Sequence, residues 1–347
     1  MPGAILAIRP RALGDVVLVT PALRALKRGH PEAPLEVVTE RRYAPLLEGL
    51  PGVARVWPLE RTASATAALG RALSQRGFGL AVDFFGNGRT IALALASRAP
   101  LTAGYALRGR GRAYRLAVPR TLAPAPGRRE YAAATHVRLA VAAGGIADGL
   151  EARVAMAPGA VVRAARLLAQ AGVAPGERVV GLVAAGSWPT KTWPLSHAAL
   201  LARSLGEAGY GVLAIWGPGE EGARDRLAQL APAALALPPC DVPTLAAVIA
   251  RLAAVVGTDS GPRHLAAALG VPSFAWFGPT HPDTWSAPDP RAGFWWTDLP
   301  CRGCDRTACP HWSCLPGLAP ERAAALVLDH LSLHVRNPSD LRPAARA

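Results

Sequence analysis

Short apolar runs alternate with helical patterns along the first half of this 347-residue chain, and this alternation limits the possible folds more than any other feature. Strands that alternate with helices pair in parallel through right-handed crossovers. The pattern predicts an α/β fold with a doubly wound sheet, which binds ligands at the carboxyl ends of its strands. The predicted strands are 4–9, 35–39, 54–59 and 80–85, and the predicted helices are 16–28, 43–50, 66–75, 90–97, 136–143 and 161–170.

The second half repeats the same rhythm. A single hydrophobic core stops growing at about 250 to 300 residues, so the length of the chain favours two domains. We place them at 1–172 and 173–335, followed by a tail at 336–347. In the second domain the predicted strands are an apolar run from 179, 212–216 and 254–256, and the predicted helices are 195–207, 223–230, 243–252 and 319–334.

The loop after the first predicted strand, residues 9–15, lies where such a sheet binds its ligand. Gly14 permits a tight turn, and Asp15 directly precedes the predicted helix. Two interpretations of Asp15 stay open. It is either a helix N-cap that accepts backbone N–H groups, or a carboxylate at the mouth of a cleft that acts as a general base.

A second candidate turn spans 179–194, VVGLVAAGSWPTKTWP. An apolar strand ends in a small-residue turn with Gly186 and Ser187, and a loop carrying Lys191 leads into a helix, an arrangement that presents backbone N–H groups to an anion. Lys27 and Lys191 are the two lysines among 38 basic residues. A compact ammonium in this turn suits a diphosphate, and the alternative is a solvated loop lysine.

A third candidate turn is GTDSGPRH at 257–264. Pro262 fits the first position of a helix. Gly261 would then be the N-cap, which leaves the donors of the first turn free for a phosphate. Asp259 would repel that anion, so we expect it to accept sugar hydroxyls or to orient His264. The alternative is that Asp259 and Ser260 only end a strand and cap a helix.

The net charge of +14 favours an anionic partner, which could be nucleic acid, a membrane face or a substrate. Aromatic residues make up 6% of the chain, are not interleaved with the arginines, and belong to no nucleic-acid motif, so an anionic acceptor ranks above nucleic acid. A composition rich in alanine, arginine and leucine would also produce this charge without such a partner.

Two common nucleotide motifs and two kinds of targeting segment are missing from the sequence. No G-x-G-x-x-G follows the first strand, and Thr190 stands before Lys191 where a P-loop requires glycine. No apolar run approaches the ~18 residues of a membrane span, and the N-terminal apolar stretch is too short for a signal peptide. We therefore expect a cytoplasmic protein.

Four of the five cysteines are crowded near the C-terminus. Four thiolates within a short stretch could bind a structural Zn²⁺, although the second pair lacks the C-x2-C spacing that is typical of zinc sites. Disulfides and free thiols are the alternatives. The isolated Cys240 fits an ordinary small core or loop residue. The four clustered residues are Cys301, Cys304, Cys309 and Cys314.

Several of these stretches together resemble the glycosyltransferase family 9 heptosyltransferases, which act in lipopolysaccharide core assembly. The opening ILAIRPRALGDVVLVTPALRALKRGHPEAPLEVVT is similar to the N-terminus of that family. GSWPTKTWP, WGPGEE and TDSGPRHLAAALGVPSFAWFGPT with the following HPDTW match its later motifs in order and spacing. The cysteine segment is also similar to one in many members.

The resemblance implies a GT-B fold, with two Rossmann-like domains facing each other across a cleft, and a C-terminal helix that can return to the first domain. It implies a metal-independent, inverting transfer from an ADP-heptose-type donor to a lipopolysaccharide core or another anionic glycolipid at the inner membrane face. Asp15 matches the catalytic base, with Arg11 and Gly14 on the acceptor side. The residues that match the donor site are Ser187, Lys191, Glu221 or Glu220, Asp259, Ser260, Gly261 and His264.

Two other functions fit the same observations. One is an epimerase or phosphorylase on the same architecture, which would convert the sugar without an acceptor. The other is a basic, non-catalytic protein that binds nucleic acid or an anionic membrane. It would bind any polyanion in a salt-dependent way, with no dependence on a donor.

Overall fold

The computed structural model describes residues 3–123 and 125–335, so the predicted tail at 336–347 lies outside the described residues. The chain forms two compact units. The first comprises 3–123, 125–165, Pro239–Val248 and Asp283–Ala287, and the second comprises Arg166–Pro238, Ile249–Pro282 and 288–335. The division after Ala165 falls inside a helix, ahead of the predicted boundary at 172.

Strands and helices alternate along most of the chain. The strands are β1 (Ala4–Ile8), β2 (Leu35–Glu40), β3 (Val53–Leu59), β4 (Phe78–Asp83), β5 (Leu101–Tyr105), β6 (Leu116–Val118), β7 (Val179–Val183), β8 (Gly211–Ala214), β9 (Leu235–Ala236), β10 (Ala254–Thr258), β11 (Ser273–Phe277) and β12 (Ala292–Trp296). The helices are α1 (Leu13–Leu18), α2 (Thr20–Gly29), α3 (Ala63–Ser74), α4 (Gly88–Ala96), α5 (Ala132–Ala142), α6 (Pro158–Ala171), α7 (Leu195–Glu207), α8 (Glu221–Leu230), α9 (Val242–Ile249), α10 (Gly261–Ala268), α11 (Pro282–Trp285) and α12 (Pro320–His334).

Within the described ranges, each unit contains one six-stranded sheet whose neighbouring strands all pair in parallel. The order is β3-β2-β1-β4-β5-β6 in the first sheet and β12-β11-β10-β7-β8-β9 in the second. The strand order reverses between β1 and β4 and between β7 and β10. At such a switch point the loops separate and leave room for a ligand. The polar turns identified from the sequence follow β1, β7 and β10.

The cores form because these strands are apolar on both faces. β1, β7 and β10 are buried along their whole length, as expected for parallel strands covered by helices on both sides. In the second unit Trp193 and Trp276 lie in the core with their ring centroids 4.4 Å apart. The final helix, α12, packs against α7 in this same unit.

Two predicted helices differ from the structure because of proline. The helix predicted at 16–28 is two helices, α1 and α2, and Pro21 lies in the first turn of α2, where its missing N–H is tolerated. The helix predicted at 43–50 is a 3-10 helix at Arg41–Leu46 that contains Pro45. A proline in that position cannot donate an α-helical hydrogen bond, so the segment does not extend as an α-helix.

The helices give no sign of a membrane-spanning segment. Among residues 3–123 and 125–335, no helix combines the length and the apolar character needed to cross a bilayer.

Candidate active site

Asp15 lies at the switch point of the first sheet, on the first turn of α1. The helix begins at Leu13, earlier than predicted, so Ala12 is the N-cap and Asp15 is the third helical residue. Asp15 Oδ2 accepts a hydrogen bond of 3.2 Å from the backbone N–H of Ala12, and its side chain is 24% exposed. The prediction that Asp15 is the N-cap is therefore wrong, and the N-cap lies three positions earlier. The sequence does not mark Ala12 as a cap because its side chain cannot accept a hydrogen bond. The carboxylate does satisfy one backbone donor, and it stays accessible to a ligand.

Arg9 holds the other oxygen of this carboxylate and was not identified from the sequence. Its guanidinium pairs with Asp15 Oδ1 and donates to the backbone oxygen of Phe84. The side chain of Arg9 is only 2% exposed and lies 5.3 Å from the ring centroid of Phe85. A buried guanidinium that is bonded to a fixed carbonyl orients the Asp15 carboxylate rigidly. The signal in the sequence is a charged residue directly after a fully apolar strand.

Asp83 fixes the neighbouring turn and was also missed. It ends β4, is fully buried, and accepts hydrogen bonds from the backbone N–H groups of Phe85 (2.8 Å) and Gly86 (3.0 Å) and from the hydroxyl of Tyr114 (2.7 Å). Burial raises the pKa of the Asp83 carboxyl, and the hydrogen bonds lower it by less. The same turn carries the Phe84 carbonyl, which accepts a hydrogen bond from Arg9. By fixing this turn, Asp83 helps to position Arg9, which in turn orients the Asp15 carboxylate.

Replacing Asp83 with alanine is expected to lower the free energy of unfolding by about 3 kcal/mol, since each buried donor left without an acceptor costs about 1 to 3 kcal/mol. Asp83→Asn keeps an acceptor for both amides, and the Tyr114 hydroxyl can rotate, so a much smaller loss is expected. Urea denaturation of the two variants measures this difference.

The pH dependence of stability provides a separate test of Asp83. A carboxyl whose pKa is higher in the folded than in the unfolded state makes the protein less stable as the pH rises from its ordinary value of 3.8 through the folded value. Asp83→Asn should remove that slope, so the stability of the variant relative to wild type should improve with pH over this range. If the curves of unfolding free energy against pH are parallel for the two proteins, the pKa of Asp83 is the same in the folded and unfolded states.

Arg11 and Gly14 lie in the same loop with different surroundings. Arg11 is exposed, whereas Gly14 is buried inside α1. Arg11 is thus placed to meet a ligand at this edge of the first sheet, and Gly14 serves the packing of the helix.

Lys191 lies at the switch point of the second sheet, on a single 3-10 turn at Pro189–Lys191. Its Nζ is 3.1 Å from Asp259 Oδ2 and 3.3 Å from the backbone oxygen of Asp259. The ammonium also lies 4.6 Å from the ring centroid of Trp188, and the side chain is only 16% exposed. Lys191 is therefore a held, half-buried cation, and not the solvated loop lysine of the alternative interpretation.

Asp259 connects Lys191 with the start of α10. Its side chain is 3% exposed, and Oδ1 lies 3.9 Å from His264 Nε2. Burial raises the pKa of Asp259, but the charges of Lys191, His264 and Arg263 outweigh it, so the net pKa is below the ordinary value. The carboxylate is thus anionic and holds Lys191 in place, and its role in orienting His264 stays a prediction.

Close contact between β7 and β10 makes this arrangement possible. Gly257 on β10 has φ of +141°, and a Cβ there would lie 2.0 Å from the backbone oxygen of Val183 on β7. Only glycine fits this backbone approach. The turns that follow the two strands are therefore brought together, which explains how Lys191 and Asp259 meet across 68 residues of sequence.

The start of α10 differs by one residue from the prediction. Ser260 is the N-cap and Gly261 is the first helical residue, with Pro262 following. Ser260 makes no capping hydrogen bond, and its Oγ is buried without a hydrogen-bond partner in the described part of the chain. A buried hydroxyl at the positive end of a helix is suited to an anionic ligand. His264 is buried on the same helix.

The remaining predicted donor residues occupy two turns. Ser187 is exposed in the turn after β7. Glu220 is the N-cap of α8, and its Oε2 accepts a hydrogen bond of 2.8 Å from the backbone N–H of Gly217. Glu221 is exposed, and hydrogen bonds from backbone N–H groups lower its pKa. Of the two carboxylates, that of Glu221 is therefore the more accessible to a ligand.

The four clustered cysteines are free thiols near the C-terminal side of the second unit. Cys301 and Cys304 are exposed, and Cys309 and Cys314 are partly buried. Burial raises the pKa of Cys314, and the nearby Cys301 and Cys304 raise it further. Within 3–123 and 125–335, no three or more His, Cys, Asp or Glu side chains are grouped as metal ligands. The predicted structural zinc at these four thiols is not tested by this arrangement.

Comparison with known proteins identifies the family. A family model described as Glycosyltransferase family 9 (heptosyltransferase) matches residues 66–313, which is well over half of the chain. The chain belongs to glycosyltransferase family 9. The matched span of this family 9 protein contains Lys191 and the turn at 259–264, whereas Asp15 precedes it.

The relatives of this family 9 chain include proteins that are described as heptosyltransferases. Lipopolysaccharide heptosyltransferase 1 of Pseudomonas aeruginosa is 34% identical over 140 residues, which are 40% of this chain and 39% of the relative. A family 9 glycosyltransferase from Veillonella parvula aligns with a TM-score of 0.79 at 19% identity over 95% of this chain and 97% of that one. The ADP-heptose lipopolysaccharide heptosyltransferase II of E. coli aligns at 0.75 and 21% identity, over 95% and 99%. The predicted fold class, α/β of the GT-B type, is confirmed.

Proposed function

We propose that this chain is an inverting, metal-independent glycosyltransferase. Its reaction moves a heptose or a similar sugar from an ADP-sugar to a lipopolysaccharide core or another anionic surface glycan. The observation that carries the proposal is the Lys191–Asp259 pair at 3.1 Å, next in sequence to Ser260 at the start of α10, whose hydroxyl has no hydrogen-bond partner among residues 3–123 and 125–335. A fixed cation and the positive end of a helix are the two groups that a departing diphosphate needs.

The donor half of the site lies on the second unit. Lys191 would bind the diphosphate, with Ser187, Ser260 and Gly261 contributing hydroxyl and amide donors. The side chain of Glu221 is exposed whereas that of Glu220 is partly buried, so Glu221 is better placed to accept the ribose hydroxyls. The E. coli relative is described as an ADP-heptose enzyme, which supports an ADP-sugar as the donor.

The acceptor half lies on the first unit. Asp15 would take the proton from the acceptor hydroxyl, whose oxygen then bonds to the anomeric carbon of the sugar. The bond from that carbon to the diphosphate breaks, and the nucleoside diphosphate leaves with its electron pair. Displacement from the opposite face inverts the anomeric centre and needs no enzymatic nucleophile. Arg9 keeps the Asp15 carboxylate oriented, and the exposed Arg11 would attract the anionic acceptor.

A metal ion is not required by this scheme, because Lys191 and the amides of α10 meet the charge on the leaving group. One fixed electrostatic contact of this kind is typically worth about 3 kcal/mol, or 100-fold in rate. A structural zinc at the cysteine cluster stays a prediction. Elemental analysis of purified protein tests it, and a stoichiometry of one zinc per chain would show that the thiols rearrange around the metal.

We place the reaction in the cytoplasm, at the inner face of the membrane, because the proposed acceptor is a glycolipid. The relative from Pseudomonas aeruginosa is described as a lipopolysaccharide enzyme, which supports a lipid-linked acceptor. Fractionation of cells into soluble and membrane portions at low and high salt tests this location.

Calorimetric titration tests the proposed donor. ADP-heptose should bind more tightly than ADP, and ADP more tightly than GDP or UDP. Product analysis with a deacylated lipopolysaccharide core should then show a glycoside of inverted configuration and one ADP released for each transfer. Equal binding of all nucleotides, or sugar isomerisation without an acceptor, would contradict the proposal.

A further inference from the structure

A groove of about 770 Å³ runs between α3 and α4 on the first unit, and Asp15 does not line it. Its floor is made of small apolar side chains, and Gly70 allows the two helices to approach closely, since a Cβ there would lie 3.3 Å from the Cβ of Ala96. Four arginines line its walls. The lining residues are Arg61, Thr62, Ala63, Thr66, Ala67, Gly70, Arg71, Ser74, Arg89, Ala92, Leu93, Ala96 and Arg98.

The exposed charges of this segment are positive. Residues 61–98 contain five arginines and a single carboxylate, Asp83, which is fully buried beneath the surface. Arg89 is fixed by a hydrogen bond of 2.7 Å to the hydroxyl of Thr66. Arg71 and Arg98 are exposed, and neither has a carboxylate within ion-pair distance among the residues that the structure describes. The groove thus carries positive charge, at Arg71 and Arg98, that no carboxylate of these residues neutralises.

Between these charges the groove is lined by small or apolar residues and by Thr62, Thr66 and Ser74. Only Gly70 and Leu73 are buried on α3, yet Arg71 is its single charged residue. Ala67 on this helix is exposed and lines the groove. Small and apolar side chains between arginines let a flat amphipathic surface approach the helix backbone, while the arginine stems remain in apolar contact.

The two ends of the groove differ in their position relative to the first sheet. α3 follows β3 and α4 follows β4, so both helices begin at the carboxyl edge of the first sheet, which is the edge that carries Asp15. Arg61 and Arg89 lie at this end of the groove, and Arg71 and Arg98 lie towards the other.

We infer that the α3–α4 groove is a docking surface for a bilayer that contains anionic lipid. Lipid phosphates accept hydrogen bonds from Arg71 and Arg98, and the alanine-rich floor contacts the upper part of the acyl region. This inference does not depend on the transferase reaction. Nucleic acid fits less well, because no aromatic side chain lines the groove to stack on a base.

Vesicle sedimentation tests the inference with the whole chain. Wild-type protein should bind vesicles of phosphatidylcholine with 30% phosphatidylglycerol and should not bind pure phosphatidylcholine. Each arginine at an anionic surface is worth about fivefold in partition, so Arg71→Gln with Arg98→Gln should lower binding about 25-fold. The matched control is Arg226→Gln with Arg251→Gln, which removes the same charge from exposed positions of the second unit.

Two further measurements keep the result independent of folding. Ala67→Asp places an anion on the exposed floor, where no packing is lost, and should reduce vesicle binding at least as much as one arginine substitution. Hydrogen exchange should show vesicle-dependent protection at residues 63–74 and 88–96 in wild-type protein.

Three results would overturn the inference. The first is an equal loss of vesicle binding in the Arg71/Arg98 and the Arg226/Arg251 double variants. The second is equal binding of wild-type protein to neutral and anionic vesicles. The third is vesicle-dependent protection from hydrogen exchange that is confined to segments other than 63–74 and 88–96. Displacement from vesicles by duplex DNA, with the same dependence on Arg71 and Arg98, would assign the groove to nucleic acid instead. Donor binding and transfer to a deacylated acceptor should be unchanged in the groove variants, so failure of the docking inference is distinct from failure of the proposed reaction.

Discussion

Replacing Asp15 with asparagine should lower kcat by about 10² to 10⁴, which is the usual contribution of a positioned general base. Asparagine retains the size of the side chain but cannot take a proton from the acceptor hydroxyl. The affinity for the ADP-sugar should stay nearly constant, because the donor residues lie on the other unit. Steady-state kinetics and calorimetric titration of the donor measure the two quantities separately.

A matched control is available for Asp15. Asp148 is also a partly exposed carboxylate of the first unit that pairs with an arginine, Arg24, at 2.7 Å. Its side chain is 21% exposed, close to the value for Asp15. Asp148→Asn should cost a similar loss of ion pairing with little loss of turnover. Equal activity losses in both variants, or a joint loss of donor affinity and turnover in Asp15→Asn, would remove Asp15 from the role of base.

Replacing Lys191 with methionine should abolish measurable donor binding and destabilise the fold. Loss of the ammonium leaves the buried Asp259 carboxylate without its closest cation, and breaking a buried ion pair from one side typically costs about 3 to 5 kcal/mol. Calorimetry measures the loss of affinity, and urea denaturation measures the loss of stability. Lys27→Met is the natural control, since it alters the only other lysine of the chain.

The double variant Lys191→Met with Asp259→Asn separates the two effects. Removing both charges should recover most of the stability, because no buried charge is left unpaired. Donor affinity should remain low, since the diphosphate still lacks its cation. If the double variant binds ADP as tightly as wild-type protein, Lys191 serves only the fold.

The pH dependence of unfolding checks the state of Asp259. Its folded pKa is lowered below the ordinary value of 3.8, so the ionised carboxylate stabilises the protein fully above that value. This contribution should disappear as the pH falls through the folded pKa. The Asp259→Asn variant should therefore lose less stability than wild-type protein as the pH is lowered through this range.

The predicted fold follows from local patterns, and its errors come from local exceptions. Apolar strands such as β1, β7 and β10 are evident because each is buried on both faces. The start of α1 at Leu13 was missed because Ala12 has no capping side chain, and the sequence pattern favours Asp15 in that role. The N-cap of α10 was placed one residue late, since glycine and serine adjoin there and both are accepted at an N-cap.

The candidate site was predicted where its residues lie in the turns after strands. Asp15, Lys191 and Asp259 became candidates through their positions in these turns together with the family resemblance, and the sequence does not show that Lys191 contacts Asp259. Arg9 and Asp83 were missed because their partners are distant in sequence: Arg9 meets Phe84 across 75 residues, and Asp83 meets Tyr114 across 31. Such contacts depend on the strand order of the sheet, which the sequence does not specify directly.

The scarcity of lysine has a practical consequence for chemical labelling. Side-chain amines occur at two positions, Lys27 and Lys191, and the Nζ of Lys27 already donates to the backbone oxygens of Pro31 and Ala33. An amine-selective acylating reagent would therefore report on very few sites. When each candidate nucleotide is added in a separate sample, the mass of the peptide that contains Lys191 would show directly whether that nucleotide shields the amine from acylation.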